Sequence, residues 1–288
     1  VISALEHHAN LLPWQQLAQR GQLKLVILPL DADGLIDLAA AVHLIGPRTR
    51  LLAVSQLSNV LGAWQPLPAL LGMAKAQNAL TVVDGAQGVV HGRHDVQALG
   101  CDFYVFSSHK LYGPDGLGVL FGRNAALEQL KPWQFGGEMV LEANYHDARF
   151  RPAPLGFEAG TPPIASVIGL GATLDYLAGL DQDAVSAHEA ALHDYLLRGL
   201  AARNGIRLLG KPQLALASFV VEGVHNADLA HLLTEQGIAV RAGHHCAMPL
   251  LKSFELAGAI RVSLALYNDS EDLERFFEAL DQALELLR

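Results

Sequence analysis

The stretch Phe106–Leu120, FSSHKLYGPDGLGVL, puts Lys110 behind an apolar, strand-like run and a Ser-Ser-His, and ahead of a turn built from Gly113, Pro114, Gly116 and Gly118. On its own, a lysine at a strand end is most often a solvated surface charge. The surroundings argue for more. LKLVILPL (23–30), RLLAVSQ (50–56), ALTVVDG (79–85), CDFYVFS (101–107) and GLGVLFG (116–122) all read as short buried strands. Helix-like segments such as Pro66–Ala76 lie between some of them. This alternation predicts an α/β fold with a mainly parallel sheet and helices on both faces. Ligands of such sheets bind beyond the C-terminal ends of the strands. The polar punctuation falls there: Ser58-Asn59, Asp84-Gly85 and Ser107–Lys110.

Composition sets the frame. The chain has 288 residues, 51% hydrophobic and 17% charged, as in a well-buried globular protein of one or two domains. A net charge of −9 argues against a nucleic-acid surface. The longest apolar runs, such as Leu25–Leu30, are too short to span a bilayer, and no signal peptide is visible. Two cysteines, Cys101 and Cys246, do not make a disulfide framework, so a reduced, cytoplasmic location is expected. The chain opens VISALEHHAN without methionine, and Val1–Ile2 reads as the tail of a buried strand. The expectation is a chain lacking an N-terminal segment.

The segment 152–163, rich in Pro and Gly, reads as an ordered crossing loop. Helices are expected over Ile164–Ala178 and Gln182–Arg203, the latter ending near Gly205. A strand (LALASFVVEG), a helix N-capped by Asn226, two strands (IAVRAG and AIRVSLALY) and a closing helix follow. Asn268 and Glu271 are expected to form its capping box. Leu273, Phe276, Phe277, Leu280, Leu284 and Leu287 fall at helical spacing and mark a core face. The organisation expected is a large domain over residues 1–170 and a smaller α+β domain over 171–288.

Asp84 ends an apolar run, where a carboxylate is costly unless something cationic or protonated meets it. Capping the following Asp-Gly turn is its simpler role. Lys110 closes the next strand, 26 residues on. If the two strands are neighbours, an amine and a carboxylate face one crevice. That pair suits pyridoxal phosphate: the amine condenses with the aldehyde, and the carboxylate keeps the ring nitrogen protonated so that the ring accepts electrons.

EHHANLLPW (6–14), VVDGAQGVVH (82–91), SSHKLYGPDGLGVL (107–120) and RAGHHCAMPL (241–250) together resemble the cysteine desulfurases, in the branch that includes selenocysteine lyases. These are class V aminotransferases of the fold type I pyridoxal-phosphate enzymes. The resemblance spans essentially the whole chain. It implies Lys110 as the cofactor-bonded lysine and shuttle of the α-proton, Asp84 as partner of the pyridine nitrogen, and Gln87 on the phenolic oxygen. It implies His7 stacked on the ring and Asn59 near the same oxygen and the substrate. Ser107 and His109 become phosphate ligands, and Thr161 a residue reaching the phosphate of a neighbouring subunit. Turn or cap roles compete for Ser107, Asn59 and Thr161.

Cys246 lies among Gly243, His244, His245, Ala247 and Pro249. A lone cysteine is most often a small buried hydrophobe, but an exposed thiol near histidine or arginine can lose its proton near neutral pH. The resemblance makes Cys246 the thiol that takes sulfur from L-cysteine, giving a persulfide and alanine. Cys101 reads as structural. Arg261 falls at the substrate-carboxylate position, where a planar fork fits best, and Arg241 matches a second active-site arginine; a surface salt bridge is the plain alternative for both. The implied assembly is a homodimer that passes sulfur to an acceptor protein, for iron–sulfur cluster assembly or another sulfur pathway. L-selenocysteine is the alternative substrate. Epimerases, kynureninases and simple aminotransferases share the lysine and aspartate but lack the cysteine motif. His7-His8 and His244-His245-Cys246 raise a metal site, yet adjacent residues point apart and no zinc-type spacing supports it. A fragment that binds the cofactor poorly is a further reading, because the family's N-terminal segment supplies a phosphate-gripping turn.

Overall fold

A computed structural model describes residues 1–92 and 94–288. Its large sheet has six strands: β1 (Ile2–Ser3), β2 (Ile27–Leu28), β3 (Leu51–Ser55), β4 (Leu80–Asp84), β5 (Phe103–Ser107) and β6 (Gly118–Gly122). Their spatial order is β2-β1-β3-β4-β5-β6. All neighbours run parallel except β6, which returns antiparallel to β5. Leu52, Ala53, Val54 and Val83 are wholly buried, which is why these strands read as near-continuous apolar runs. Helices α1 (His8–Gln19), α2 (Leu38–Leu44), α3 (Leu67–Ala76), α4 (Val96–Leu99) and α5 (Asn124–Leu127) connect or follow them.

A two-stranded hairpin, β7 (Val140–Ala143) and β8 (Ala148–Phe150), leads to α6 (Ile164–Ala178) and α7 (Gln182–Ala201). The second sheet is antiparallel, in the order β11-β12-β10-β9, from β9 (Ile206–Leu208), β10 (Leu216–Val221), β11 (Arg241–Gly243) and β12 (Ala259–Ser263). Helices α8 (Asn226–Glu235), α9 (Met248–Ser253) and α10 (Ser270–Leu287) complete it. Two cores result. Leu52, Val54, Leu70 and Val83 anchor one; Leu196, Phe219, Phe276 and Leu280 anchor the other. Leu250 and Leu251 of α9 belong to the first core, so the segment after Cys246 packs against the large sheet.

Local details depart from the sequence reading. The 23–30 strand shrinks to Ile27–Leu28, because its partner β1 has only two paired residues and Pro29 has no N–H to extend the ladder. His225, not Asn226, caps α8, its Nδ1 accepting the Ala227 N–H at 3.3 Å. The capping box of α10 joins Asp269 and Asp272, one residue later than expected. Asn268 instead accepts the Ala265 N–H, closing the preceding turn. Helix α7 stops at Ala201, short of Arg203, and IAVRAG is extended only over Arg241–Gly243. Helix α1, which begins inside the EHHANLLPW motif and runs past it, and the β7–β8 hairpin were not expected as elements.

Candidate active site

The parallel register aligns the strand ends: Ser55 lies opposite Asp84, and Asp84 opposite Val105. β4 and β5 are therefore neighbours, and Asp84 and Lys110 belong to adjacent strand tips. Lys110 sits in a 3-10 turn, Ser108–Leu111, that starts as β5 ends. The turn is closed by Gly113 N–H donating to the Ser108 carbonyl (3.0 Å) and Ser108 N–H donating to the Leu117 carbonyl (3.0 Å). Gly113 is required: a Cβ there would stand 2.2 Å from the buried Ser108 Oγ. This answers why a glycine-rich turn follows the lysine. It folds the chain back into β6 and leaves Lys110 at the crevice.

Asp84 Oδ1 accepts the Ala86 N–H at 2.9 Å. Among the described residues, neither its Oδ2 nor the Lys110 amine has a hydrogen-bond or ion-pair partner. His7 faces both. Burial holds its imidazole below the ordinary value, the Lys110 charge pushes it further down, and Asp84 partly offsets this. His7 Nδ1 also accepts the Ala9 N–H at 3.1 Å, capping α1, so the neutral ring carries its proton on Nε2. Amine, carboxylate and imidazole thus share one electrostatic environment.

A group invisible to sequence reading holds this corner. Glu6 is buried, and its carboxylate accepts from Ser3 Oγ, Asn10 Nδ2 (2.7 Å), Ser55 N–H (3.1 Å) and Ser55 Oγ (2.6 Å). Where β1 runs out, Glu6 takes the next N–H of β3 in place of a strand carbonyl. Burial pushes its carboxyl above the usual range, against the pull of those donors. Glu6 ties β1, β3 and α1 together immediately before His7. Beneath the strand ends, Tyr104 donates to Gln56 Oε1 at 2.6 Å, and Gln56 Nε2 meets His94 Nδ1 at 3.2 Å.

The second sheet contributes the thiol. Cys246 is half-buried, and it and His245 adopt consecutive left-handed conformations, φ +54° and +50°. Such conformations in non-glycine residues cost about 1–3 kcal/mol each and persist only where contacts enforce them. The contacts come largely from the other sheet's side. Asn59 Nδ2 donates to the His245 carbonyl (2.9 Å), and the His8 N–H donates to the Cys246 carbonyl (2.7 Å). Within the loop, the Cys246 N–H donates to His244 Nδ1 (3.1 Å). Arg261, on β12, donates from Nη1 to the Asn59 carbonyl at 3.0 Å, while its buried Nε has no partner among the described residues. Arg241 lies directly opposite Arg261 on β11. Burial and the Arg261 guanidinium push His245 down to about 4.

The remaining expected site residues are less engaged. Gln87 heads the 3-10 turn after Asp84 and is partly buried. Ser107 ends β5 opposite Gly118, and His109 is exposed beside Lys110. Thr161 is exposed ahead of α6, with no hydrogen bond to any of these groups. The structure therefore brings together His7, Asp84 and Lys110, and separately Asn59, Arg241, Arg261 and Cys246, with the His7-His8 dipeptide joining the two sets. His8 Nε2 and His244 Nδ1 each accept a backbone N–H, which occupies lone pairs that a metal would need.

Two lobes, a mostly parallel large sheet, and a lysine and aspartate at adjacent strand tips define a fold type I pyridoxal-phosphate enzyme. The chain belongs to the class-V aminotransferase family, whose model matches residues 1–276, and within it to the cysteine desulfurases. It is 79% identical over 287 residues to a "Probable cysteine desulfurase" of Pseudomonas putida, covering 100% of this chain and 72% of that one. The crystal structure of the cysteine desulfurase CsdA (S-sulfonic acid) from Escherichia coli superposes with a TM-score of 0.97 at 44% identity, covering 100% of this chain and 72% of the other. The apo cysteine desulfurase of Thermococcus onnurineus NA1 gives a TM-score of 0.94 at 34% identity, covering 99% and 72%.

Proposed function

We propose that the chain is a pyridoxal-phosphate-dependent cysteine desulfurase, converting L-cysteine to L-alanine with transfer of sulfur to Cys246. One observation carries this reading: the Cys246 loop is bonded to His8, the residue next to the imidazole that senses both Lys110 and Asp84. The donor set fits the cofactor. Among the described residues, Asp84 Oδ2 and the Lys110 amine are both unpaired, as a ring flanked by an acceptor of its N–H and an amine for its aldehyde requires. Asp84 would hold the ring nitrogen, His7 would cover a ring face, and Gln87 and Asn59 would reach the phenolic oxygen. Ser107 and His109 would hold the phosphate, with Thr161 of a second copy. When bound, pyridoxal phosphate supplies an aldehyde for the amino group and a protonated ring that takes up an electron pair from the α-carbon.

Lys110 removes the α-proton, a task that a neutral amine performs once freed from other bonds. Arg261 grips the substrate carboxylate, using the Nε face that the protein leaves unpaired, with Arg241 adding positive charge. The Cys246 thiolate attacks the substrate sulfur. An S–S bond forms, the Cβ–S bond breaks with its electron pair kept by carbon, and that carbon takes a proton to become the methyl of alanine. L-Selenocysteine offers the same carboxylate and amine. The persulfide then passes to an acceptor protein, and iron–sulfur cluster assembly is the route inferred from resemblance.

The proposed assembly is a homodimer. Trp133, Phe135, Tyr145, Leu155, Ile164 and Ile168 form exposed apolar surface around the hairpin and α6, the region that also carries Thr161. The proposed location is cytoplasmic; among the described residues, no single helix is long and apolar enough to cross a membrane. We place the division between the lobes near residue 170, supported by the two separate cores. Incubating cofactor-loaded protein with L-cysteine and a reductant should yield alanine and sulfide in equal amounts. Cys246→Ala should keep the visible absorbance of lysine-bound cofactor and yield neither product. Wild-type alanine production by that variant would refute the assignment.

A further inference from the structure

We propose that His8 is a positioning residue for the sulfur-accepting thiol: its imidazole holds the Cys246 loop in its strained conformation against the large sheet. The inference rests on the reading of Cys246 as the acceptor, but the geometry stands apart from it. His8 touches the loop three ways. Its backbone N–H donates to the Cys246 carbonyl at 2.7 Å. Its Nε2 accepts the Met248 N–H at 3.3 Å. Its ring lies against that of His244, centroids 5.7 Å apart and planes tilted by 34°. His244 in turn accepts the Cys246 N–H through Nδ1. The loop is thus held at the thiol residue, at Met248 two residues on, and by ring contact at His244 before it, by a single residue of α1.

The clamp matters because the loop's own bonds, Cys246 N–H to His244 Nδ1, Ala247 N–H to the His244 carbonyl and His245 Nε2 to the Ala259 carbonyl, leave the Met248 N–H and the Cys246 carbonyl to His8. His245 and Cys246 both have positive φ, +50° and +54°, without glycine's freedom. The Met248 N–H lies in the first turn of α9, where no helical carbonyl is available to receive it. His8 supplies that acceptor and must be neutral at Nε2 to do so. The same residue follows His7, which caps α1 and feels the charges of Lys110 and Asp84. A fixed helix start therefore sets the reach from the reaction crevice to the thiol. Asn59, donating to the His245 carbonyl, secures the loop's other flank.

The test compares holoenzyme carrying His8→Ala or His8→Gln with the parent. The backbone N–H survives in both, so the variants probe the ring alone, and Gln restores an acceptor for Met248. The first readout is iodoacetamide alkylation, which reports Cys246 because Cys101 is fully buried. The second is the kcat and KM for alanine formation. The third is the visible absorbance of bound cofactor. His8→Ala should be alkylated several-fold faster and lose about 10- to 100-fold in kcat, with KM for L-cysteine and cofactor absorbance near the parent's. His8→Gln should recover most of both losses. Parental alkylation of His8→Ala, a His8→Gln indistinguishable from His8→Ala, or loss of cofactor absorbance in both would overturn the proposal. If the parent makes no alanine, the desulfurase reading fails, while the alkylation series still reads the clamp.

Discussion

Glu6→Ala is the most exacting perturbation of the corner that carries His7 and His8. It strips the acceptor from four donors: Ser3 Oγ, Ser55 Oγ, the Ser55 N–H and Asn10 Nδ2. The two hydroxyls rotate toward other acceptors. The Ser55 N–H, fixed in β3, and the Asn10 amide, whose Oδ1 is held by Trp14 Nε1 at 3.0 Å, do not. Two buried donors left unpaired cost about 2–6 kcal/mol. The parent bears an opposing cost, because burial disfavours the Glu6 carboxylate. The net loss is about 3 kcal/mol at neutral pH, or about 6 °C in Tm for a chain of this size. Thermal unfolding followed by circular dichroism measures it. The pH dependence gives a second check. A carboxyl whose folded pKa is raised contributes stability that is full below its unfolded value, about 4.3, and is lost as pH rises through the folded value. The gap between parent and Glu6→Ala is therefore widest at and below about pH 4 and narrows upward. A variant that melts within about 1 °C of the parent at neutral pH, or a gap that widens with pH, would refute this account of the buried carboxylate.

Three further outcomes follow from single contacts. His245 is held down to about 4 by burial and Arg261, so the unfolded chain binds a proton between pH 6.5 and 4 that the fold refuses. Its stability contribution is full above pH 6.5 and falls as pH drops, by about 3 kcal/mol, or nearer 2 with solvent screening at the ring edge. His245→Gln should flatten that acid limb, and superimposable pH–stability curves would dismiss the shift. Arg261→Lys loses the planar fork, and KM for L-cysteine should rise at least about tenfold with a smaller change in kcat; an unchanged KM would remove Arg261 from the carboxylate. At Gly85 a Cβ would stand 1.9 Å from Tyr104 Cζ, so Gly85→Ala should destabilise by about 2–3 kcal/mol in thermal unfolding, and a parental Tm would show that the ring yields freely.

The strands that mattered were legible because burial on both faces writes them as unbroken apolar runs; Leu51–Ser55, Leu80–Asp84 and Phe103–Ser107 fall inside the predicted segments. Asp84 and Lys110 were legible because polar residues closing such runs stand out. Glu6 did not stand out. A glutamate before a helix reads as a surface group, and nothing local reveals that Ser55, 49 residues on, will donate to it twice. The α10 capping box was misread by one residue because Asn268, Asp269, Glu271 and Asp272 all offer suitable side chains, and only tertiary packing selects among them. The β7–β8 hairpin escaped because its exposed Leu141 and Tyr145 interrupt the alternation that marks a half-buried strand. Thr161, His109 and Ser107 were placed by resemblance, and no contact in the chain itself would have nominated them.

Under the proposed roles, the division of the site between two sheets follows from what each half of the chemistry demands. An amine and a carboxylate that must address opposite ends of one flat ring need fixed separation, and parallel neighbours in register provide it. The β4–β5 ladder locks Asp84 against Val105, and the Gly113 turn locks Lys110 behind them. A thiol that takes up sulfur and then presents it elsewhere needs the opposite property: a position that is defined yet not part of any ladder. Cys246 has that position. It lies between β11 and α9, with positive φ and with hydrogen bonds to the large-sheet side made only through loop or helix-end groups. Local release of the loop breaks the bonds at His8 and Asn59, that of His245 Nε2 with the Ala259 carbonyl and the packing of Ala247, whereas moving Lys110 would break the turn that joins β5 to β6.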